Sequence, residues 1–366
     1  MTNLSQVDFN DLSPADKNKH RQTLLSQGIA GLDSHKLSEA NSDGVSANSL
    51  AVSWAKKYYS VVGPGKNQTL HLIPQNPDSI NFEENRAKIV DKLTDTLKVA
   101  SEIAWNRVEA ILGGQIECQG IDPRLINPSE ILADTRNLYR KAIDAYGDGE
   151  SVFRLSVVVG RDIIEVRRKY SQVDALVLGF VTLEFQYTKK ILLGCLSESE
   201  LPQFAPYLKI VDDYLHIPYG EIHLAAANLA SNSKALLAVV HLLPHTTQIA
   251  SEVYDRVISK HQGYRSSSGY LTDSEVKTSG IRDIEIFQSY LCWCVLESSF
   301  RPVQQELFPM CVMLYPKLHV SWELVQDMLL ILFGEISDRL DGEDLMVFLP
   351  YLRTVTEMFS SDVFDN

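Results

Sequence analysis

Apolar residues recur every three or four positions over most of the chain beyond residue 51, which is the period of a helix with one buried face. Ile89, Leu93, Leu97, Ala100, Ala104, Val108 and Ile111 keep one such face. This predicts a long helix, capped at Asn81-Phe-Glu-Glu84 and ended by Gly113-Gly114. Asn127-Pro-Ser-Glu130 carries a second set of start signals: a capping side chain, proline at the first helical position and an acid after it. Residues 151–170 place Val152, Leu155, Val159, Ile163, Val166 and Tyr170 on a helical stripe. The alternation of Phe153, Leu155 and Val157 before Gly160-Arg161-Asp162 would also suit a hairpin, and the helical surroundings favour a helix. TLHLI (69–73) is the best isolated strand candidate.

Two stretches resemble each other. LPQFAPYLKIVDDYL (201–215) and LMVFLPYLRTVTEMF (345–359) share Leu201/Leu345, Phe204/Phe348, Pro206/Pro350, Tyr207/Tyr351, Leu208/Leu352 and Val211/Val355. Each follows a capping segment, Ser197–Glu200 or Asp341–Asp344, and each proline is expected to open or kink its helix. Duplication of one helical unit and two independent amphipathic helices both account for the match.

These patterns predict a mainly α fold of stacked helical hairpins, as a bundle or a short irregular α-solenoid. Residues 1–50, rich in Ser, Asn and Asp, are expected to form a disordered polar arm. A helical domain follows over 51–261. The Ser/Gly-rich stretch 262–280 is expected to be a linker or functional loop, and 281–366 a C-terminal helical block.

Composition narrows the function classes. The 366 residues carry a net charge of −13, which argues against general nucleic-acid binding. The apolar run 175–196 includes Glu184, Gln186, Lys189 and Lys190, so a buried helix is expected there and not a membrane span. The N-terminus lacks the apolar core of a signal peptide. Five scattered cysteines, with Cys292-Trp-Cys294 one residue short of a metal or redox pair, fit a reducing cytoplasm. Cys118, Cys195 and Cys311 are expected to be buried thiols.

Few motifs carry chemistry. Gly63-Pro-Gly-Lys66 lacks the earlier glycine and the Ser/Thr of a phosphate loop and is expected to be a plain turn. Nucleophile-elbow, zinc-protease and dinucleotide signatures are absent. Asp212-Asp213 is expected to lie on a helix surface, because adjacent helical residues point apart. Between Arg124 and Lys190 the net charge is +2, against −15 over the rest. There Arg154, Arg161 and Arg168 recur every seven residues and, with Arg167 and Lys169, would form a basic ridge able to dock an acidic partner.

The leading expectation is therefore a non-enzymatic cytoplasmic interaction protein, an adaptor, assembly factor or regulator without a cofactor. It would bind a protein partner through Arg154, Arg161, Arg167, Arg168 and Tyr170, with self-association as a further option. The alternative is a helical metal- or ligand-binding protein, with enzymatic activity left open. Its ligands would come from His216, Glu221, His223, His241 and His245, holding a divalent metal or a tetrapyrrole.

Overall fold

The computed structural model describes residues 80–172 and 174–364. The expected arm, the expected strand at 69–73 and the expected turn at 63–66 lie outside the described residues. Within them the fold is all-α, with one two-stranded hairpin.

Helix α1 (Ile80–Cys118) begins before the expected cap and runs through Gly113-Gly114. Leu112 and Gln115 on either side of the glycines are buried, and this packing outweighs the glycines' poor helix propensity. The true stop is Gly120, at φ +65°. Gly120 N–H donates to Glu117 O and Ile121 N–H to Ile116 O, closing a Schellman motif. Helix α2 (Pro128–Gly147) starts as expected, the Asn127 side chain accepting from Ser129 N–H and Glu130 N–H. The ambiguous segment is helix α3 (Val152–Ser171), capped by Ser151. Helix α4 (Ala175–Gly194) carries the most apolar run and is buried on most of its circumference. With α5 (Leu201–His216) these helices enclose a first core around Ile131, Tyr139, Ile163, Phe185 and Phe204.

A second core is built by α6 (Tyr219–Ala227), α7 (Lys234–Leu242), α8 (Thr246–Lys260), α9 (Ser274–Glu297), a π-helical segment (Val303–Leu307), α10 (Phe308–Leu314), α11 (Trp322–Arg339) and α12 (Gly342–Met358). A last turn, α13 (Ser361–Phe364), stacks Phe364 on Trp322. In the first core α4 packs on α1, and α5 on α2 and α3. In the second, α9 packs on α6, α7, α8 and α12. All of these pairings except α8 with α9 skip sequence neighbours, so the helices form bundles and not a sequential solenoid. The cores meet where α10 lies on α4: Gly179 has no side chain, and a Cβ there would fall 2.4 Å from Met313 Cε.

The change of core falls between Leu215 and Ile217, not at 262–280. Most of the Ser/Gly-rich stretch is ordered. Residues 265–266 and 269–270 pair antiparallel, and α9 already begins at Ser274. Tyr254 OH donates to Leu271 O (2.9 Å) and Ser267 N–H to Leu318 O (3.0 Å), which pins the hairpin to α8 and to the turn that follows α10.

The two similar stretches lie one in each core, as α5 and α12. Phe204 and Phe348, Leu208 and Leu352, and Val211 and Val355 are all buried, so the shared letters are the shared core-facing stripe. Pro206 and Pro350 lie inside their helices and open neither.

Candidate functional site

Charged side chains are costly to bury unless they are paired, so a cluster of them inside a helical bundle marks a built site. Two such clusters lie where the cores meet.

The first joins α4, α5 and α9. Asp212 on α5 is 4% exposed. Its Oδ2 accepts from Lys189 Nζ (2.6 Å) and Arg282 Nη1 (2.9 Å). Burial alone would raise the Asp212 pKa, but Lys189 and Arg282 hold it well below the usual carboxylate range. His216, one turn on, donates from Nδ1 to Asp212 O (2.8 Å). Burial, helped by the Arg282 charge, lowers its pKa to about 3, so the imidazole is neutral. Arg282 also reaches Asp283 Oδ1 (3.2 Å). Asp212 Oδ1 and Arg282 Nε are buried without hydrogen-bond partners, one unpaired acceptor and one unpaired donor in the same cluster.

The second cluster joins α3, α6, α9 and the π-helical segment. Arg167 on α3 is 1% exposed. Its Nη2 donates to Tyr290 OH (2.8 Å) and to Glu306, which also accepts from Tyr290 OH. Glu221 Oε2 lies 3.8 Å from Arg167 Nη1, and Glu221 Oε1 accepts from Arg168 Nε (3.0 Å). Arg167 Nε and Nη1, Glu221 Oε2 and His223 Nε2 are buried without a hydrogen-bond partner.

The structure divides the residues expected to act together. Of the ridge, only Arg154, Arg161 and Lys169 are exposed, and Lys169 is paired with Asp134. Arg167 turns into the core, because it continues the stripe of Leu155, Val159 and Ile163. Arg168 is half-buried against Glu221, and Tyr170 is buried with its hydroxyl donating to Asp134 (2.6 Å). A continuous basic ridge is therefore not formed. His216 and Glu221 belong to different clusters. His223 is half-buried on α6, its pKa lowered by burial. His241 is exposed and bonded to Asp344 (2.5 Å), and His245 closes the 3-10 turn Leu243–His245. Among the described residues no three His, Cys, Asp or Glu side chains are arranged to hold a metal ion.

Asp212 and Asp213 are buried, not on the surface. The signal was present: Asp212 lies four residues after Leu208 and three before Leu215, on the buried stripe itself. Lys189, Arg282, Tyr290 and Glu306 had no local signal, since their partners are remote in sequence.

The thiols also differ from expectation. Cys118 is exposed and Cys195 half-buried, while Cys292, Cys294 and Cys311 are buried. Burial pushes Cys294 and Cys311 up to about 12, which makes them poor nucleophiles.

Residues 184–358, which contain Asp212, Arg282 and most of the second core, match the family model described as "Phycobilisome protein". No curated protein and no solved structure matches the chain. Phycobilisome proteins are light-harvesting proteins that carry bilin tetrapyrroles and assemble with other proteins in complexes. The match overturns the expectation of an adaptor, assembly factor or regulator, and with it the expectation of no cofactor. The ligand-binding alternative, with a tetrapyrrole, agrees with it better. No helix among the described residues is long and apolar enough to cross a membrane.

Proposed function

We propose that the chain is a cytoplasmic pigment protein of the light-harvesting kind, which holds a linear tetrapyrrole against the buried cluster of Asp212, Arg282 and Lys189 and works beside other proteins of its assembly. The match over residues 184–358 carries this proposal.

The residues present suit the group's polar demands. A linear tetrapyrrole offers ring N–H donors and propionate carboxylates. Asp212 Oδ1 is a buried acceptor without a partner, and Arg282 Nε a buried donor without one. Asp212 would take the ring N–H groups, while Arg282 and Lys189 would pair with propionates. Neutral His216 adds no charge to the cluster. When bound, the pigment supplies visible absorption; the chain's part is to orient it, exclude water and hold its charges. For covalent attachment, Cys195 is the cysteine of residues 184–358 that is not fully buried, and burial raises its pKa too.

The test uses the purified full chain with biliverdin or phycocyanobilin added. Expected are a sharpened, shifted long-wavelength band and an affinity at least tenfold weaker in Asp212→Asn and Arg282→Gln chains of unchanged circular dichroism. Zinc-induced fluorescence on a denaturing gel reports covalent attachment, and Cys195→Ser shows whether that thiol makes it. An unchanged spectrum with both pigments refutes the proposal.

A further inference from the structure

Outside residues 184–358, the outer face of α3 leaves three large apolar side chains in solvent: Phe153 (55% exposed), Val157 (63%) and Val158 (49%). Single exposed apolar residues need no explanation, but three within two helical turns form a patch. Arg154 and Arg161 border it. Their charge is balanced locally, Arg161 Nε lying 3.0 Å from Glu165 and Arg154 Nε 3.9 Å from Glu150. A strongly acidic partner would therefore find little net positive charge here.

The spacing of the patch says what fits it. Phe153, Val157 and Arg161 lie four residues apart on one exposed line of the helix. When two copies of a helix pack antiparallel about a two-fold axis through one residue, the residue four before it faces the residue four after it on the other copy. Centred on Val157, that operation sets Val157 against its own equivalent and each Phe153 against the other copy's Arg161. An aromatic ring and a guanidinium attract through the ring quadrupole, and Arg161 can keep its Nε on Glu165 while its face covers the ring.

We propose that α3 is a self-association surface through which two copies of this chain pair antiparallel about a two-fold axis near Val157, with reciprocal Phe153–Arg161 contacts. One helix face covers less than the about 800 Å² per partner of a standard stable interface, so the dimer is weak and concentration-dependent. The inference does not rest on pigment binding.

The test is light scattering and sedimentation of the full chain over roughly a hundredfold range of concentration. Expected is a reversible monomer–dimer equilibrium, weakened at least tenfold by Val157→Glu and clearly by Arg161→Glu. Both sites are exposed, so circular dichroism and Tm should stay unchanged. Geometry is checked in a Cys118→Ser/Cys195→Ser background by diamide, which oxidises two thiols to a disulfide and is itself reduced to the hydrazine. Val157→Cys should cross-link readily. Arg161→Cys should not, because its equivalents are offset by about 12 Å along the helices, beyond the about 7 Å Cα reach of a disulfide. A monomer at every concentration, a dimer indifferent to Val157→Glu, or equal cross-linking at both positions overturns the proposal.

Discussion

Replacing Arg167 by Met tests whether the buried charge cluster ties the two cores together. The guanidinium is 1% exposed and bonds to Tyr290 and Glu306, 123 and 139 residues away. Methionine fills much of the aliphatic volume but leaves the Glu306 carboxylate, whose side chain is 10% exposed, without a counter-charge. Removing one partner of a buried pair costs about 3–5 kcal/mol. The Tyr290 hydroxyl loses one of its partners as well, whereas Glu221 keeps Arg168. A fold of this size should lose roughly 5–8 °C in Tm, at about 2.1 cal/mol/K of unfolding entropy per residue. The double variant Arg167→Met/Glu306→Met removes both charges and should recover more than half of the loss, giving a coupling of about 2 kcal/mol or more in a double-mutant cycle. Urea unfolding would be followed by circular dichroism and by tryptophan fluorescence, Trp105 reporting the first core and Trp293 and Trp322 the second. A loss under about 1 kcal/mol, or costs that add within about 0.5 kcal/mol, would refute the argument.

Glu184 predicts a second pH dependence. It is fully buried on α4, accepts from the Thr135 and Thr188 hydroxyls, and burial raises its pKa from 4.5 to about 7. The folded chain thus holds a proton that the unfolded chain releases, and stability should fall as pH rises from about 4.5 through 7. The loss is on the order of 3 kcal/mol at about 1.4 kcal/mol per pKa unit; Glu184→Gln should remove that slope in urea titrations, and an unchanged slope would refute the assignment. Two glycines inside helices should respond in opposite directions to alanine. Gly114 on α1 has open space where a Cβ would go, so Gly114→Ala should stabilise by about 0.5–1 kcal/mol. At Gly280 on α9 a Cβ would fall 2.1 Å from the ring of buried Tyr254, so Gly280→Ala should cost about 1–3 kcal/mol. Thermal melts that move both variants the same way would contradict this packing.

Helix existence and several starts were legible because they depend on neighbours in sequence. Asn127 and Asp341 cap the amides two or three residues on, and the structure shows those bonds. Helix ends and core boundaries were less legible. Gly113-Gly114 signals a stop locally, yet the packing of Leu112 and Gln115 carries α1 onward. The stretch 262–280 is pinned by Tyr254 and Leu318, whose contacts periodicity does not reveal. Charged residues were the hardest to place. Arg161 and Arg167 are both flanked by apolar residues four before and three after, Val157 and Ile164 for one, Ile163 and Tyr170 for the other. Yet Arg161 is exposed and Arg167 buried. The whole length of the line separates them. Leu155, Val159, Ile163, Arg167 and Tyr170 continue from one end of α3 to the other, whereas Phe153 and Val157 give way to Arg161 and Glu165. A helix buries the line that stays apolar along its full length, and a charge within that line must find a counter-charge on another element. Arg167 finds Glu306, and Asp212, within the line from Phe204 to Leu215, finds Lys189 and Arg282. The residues that interrupt a complete apolar stripe, more than those that form a charged ridge, therefore point to the built polar centres of this fold.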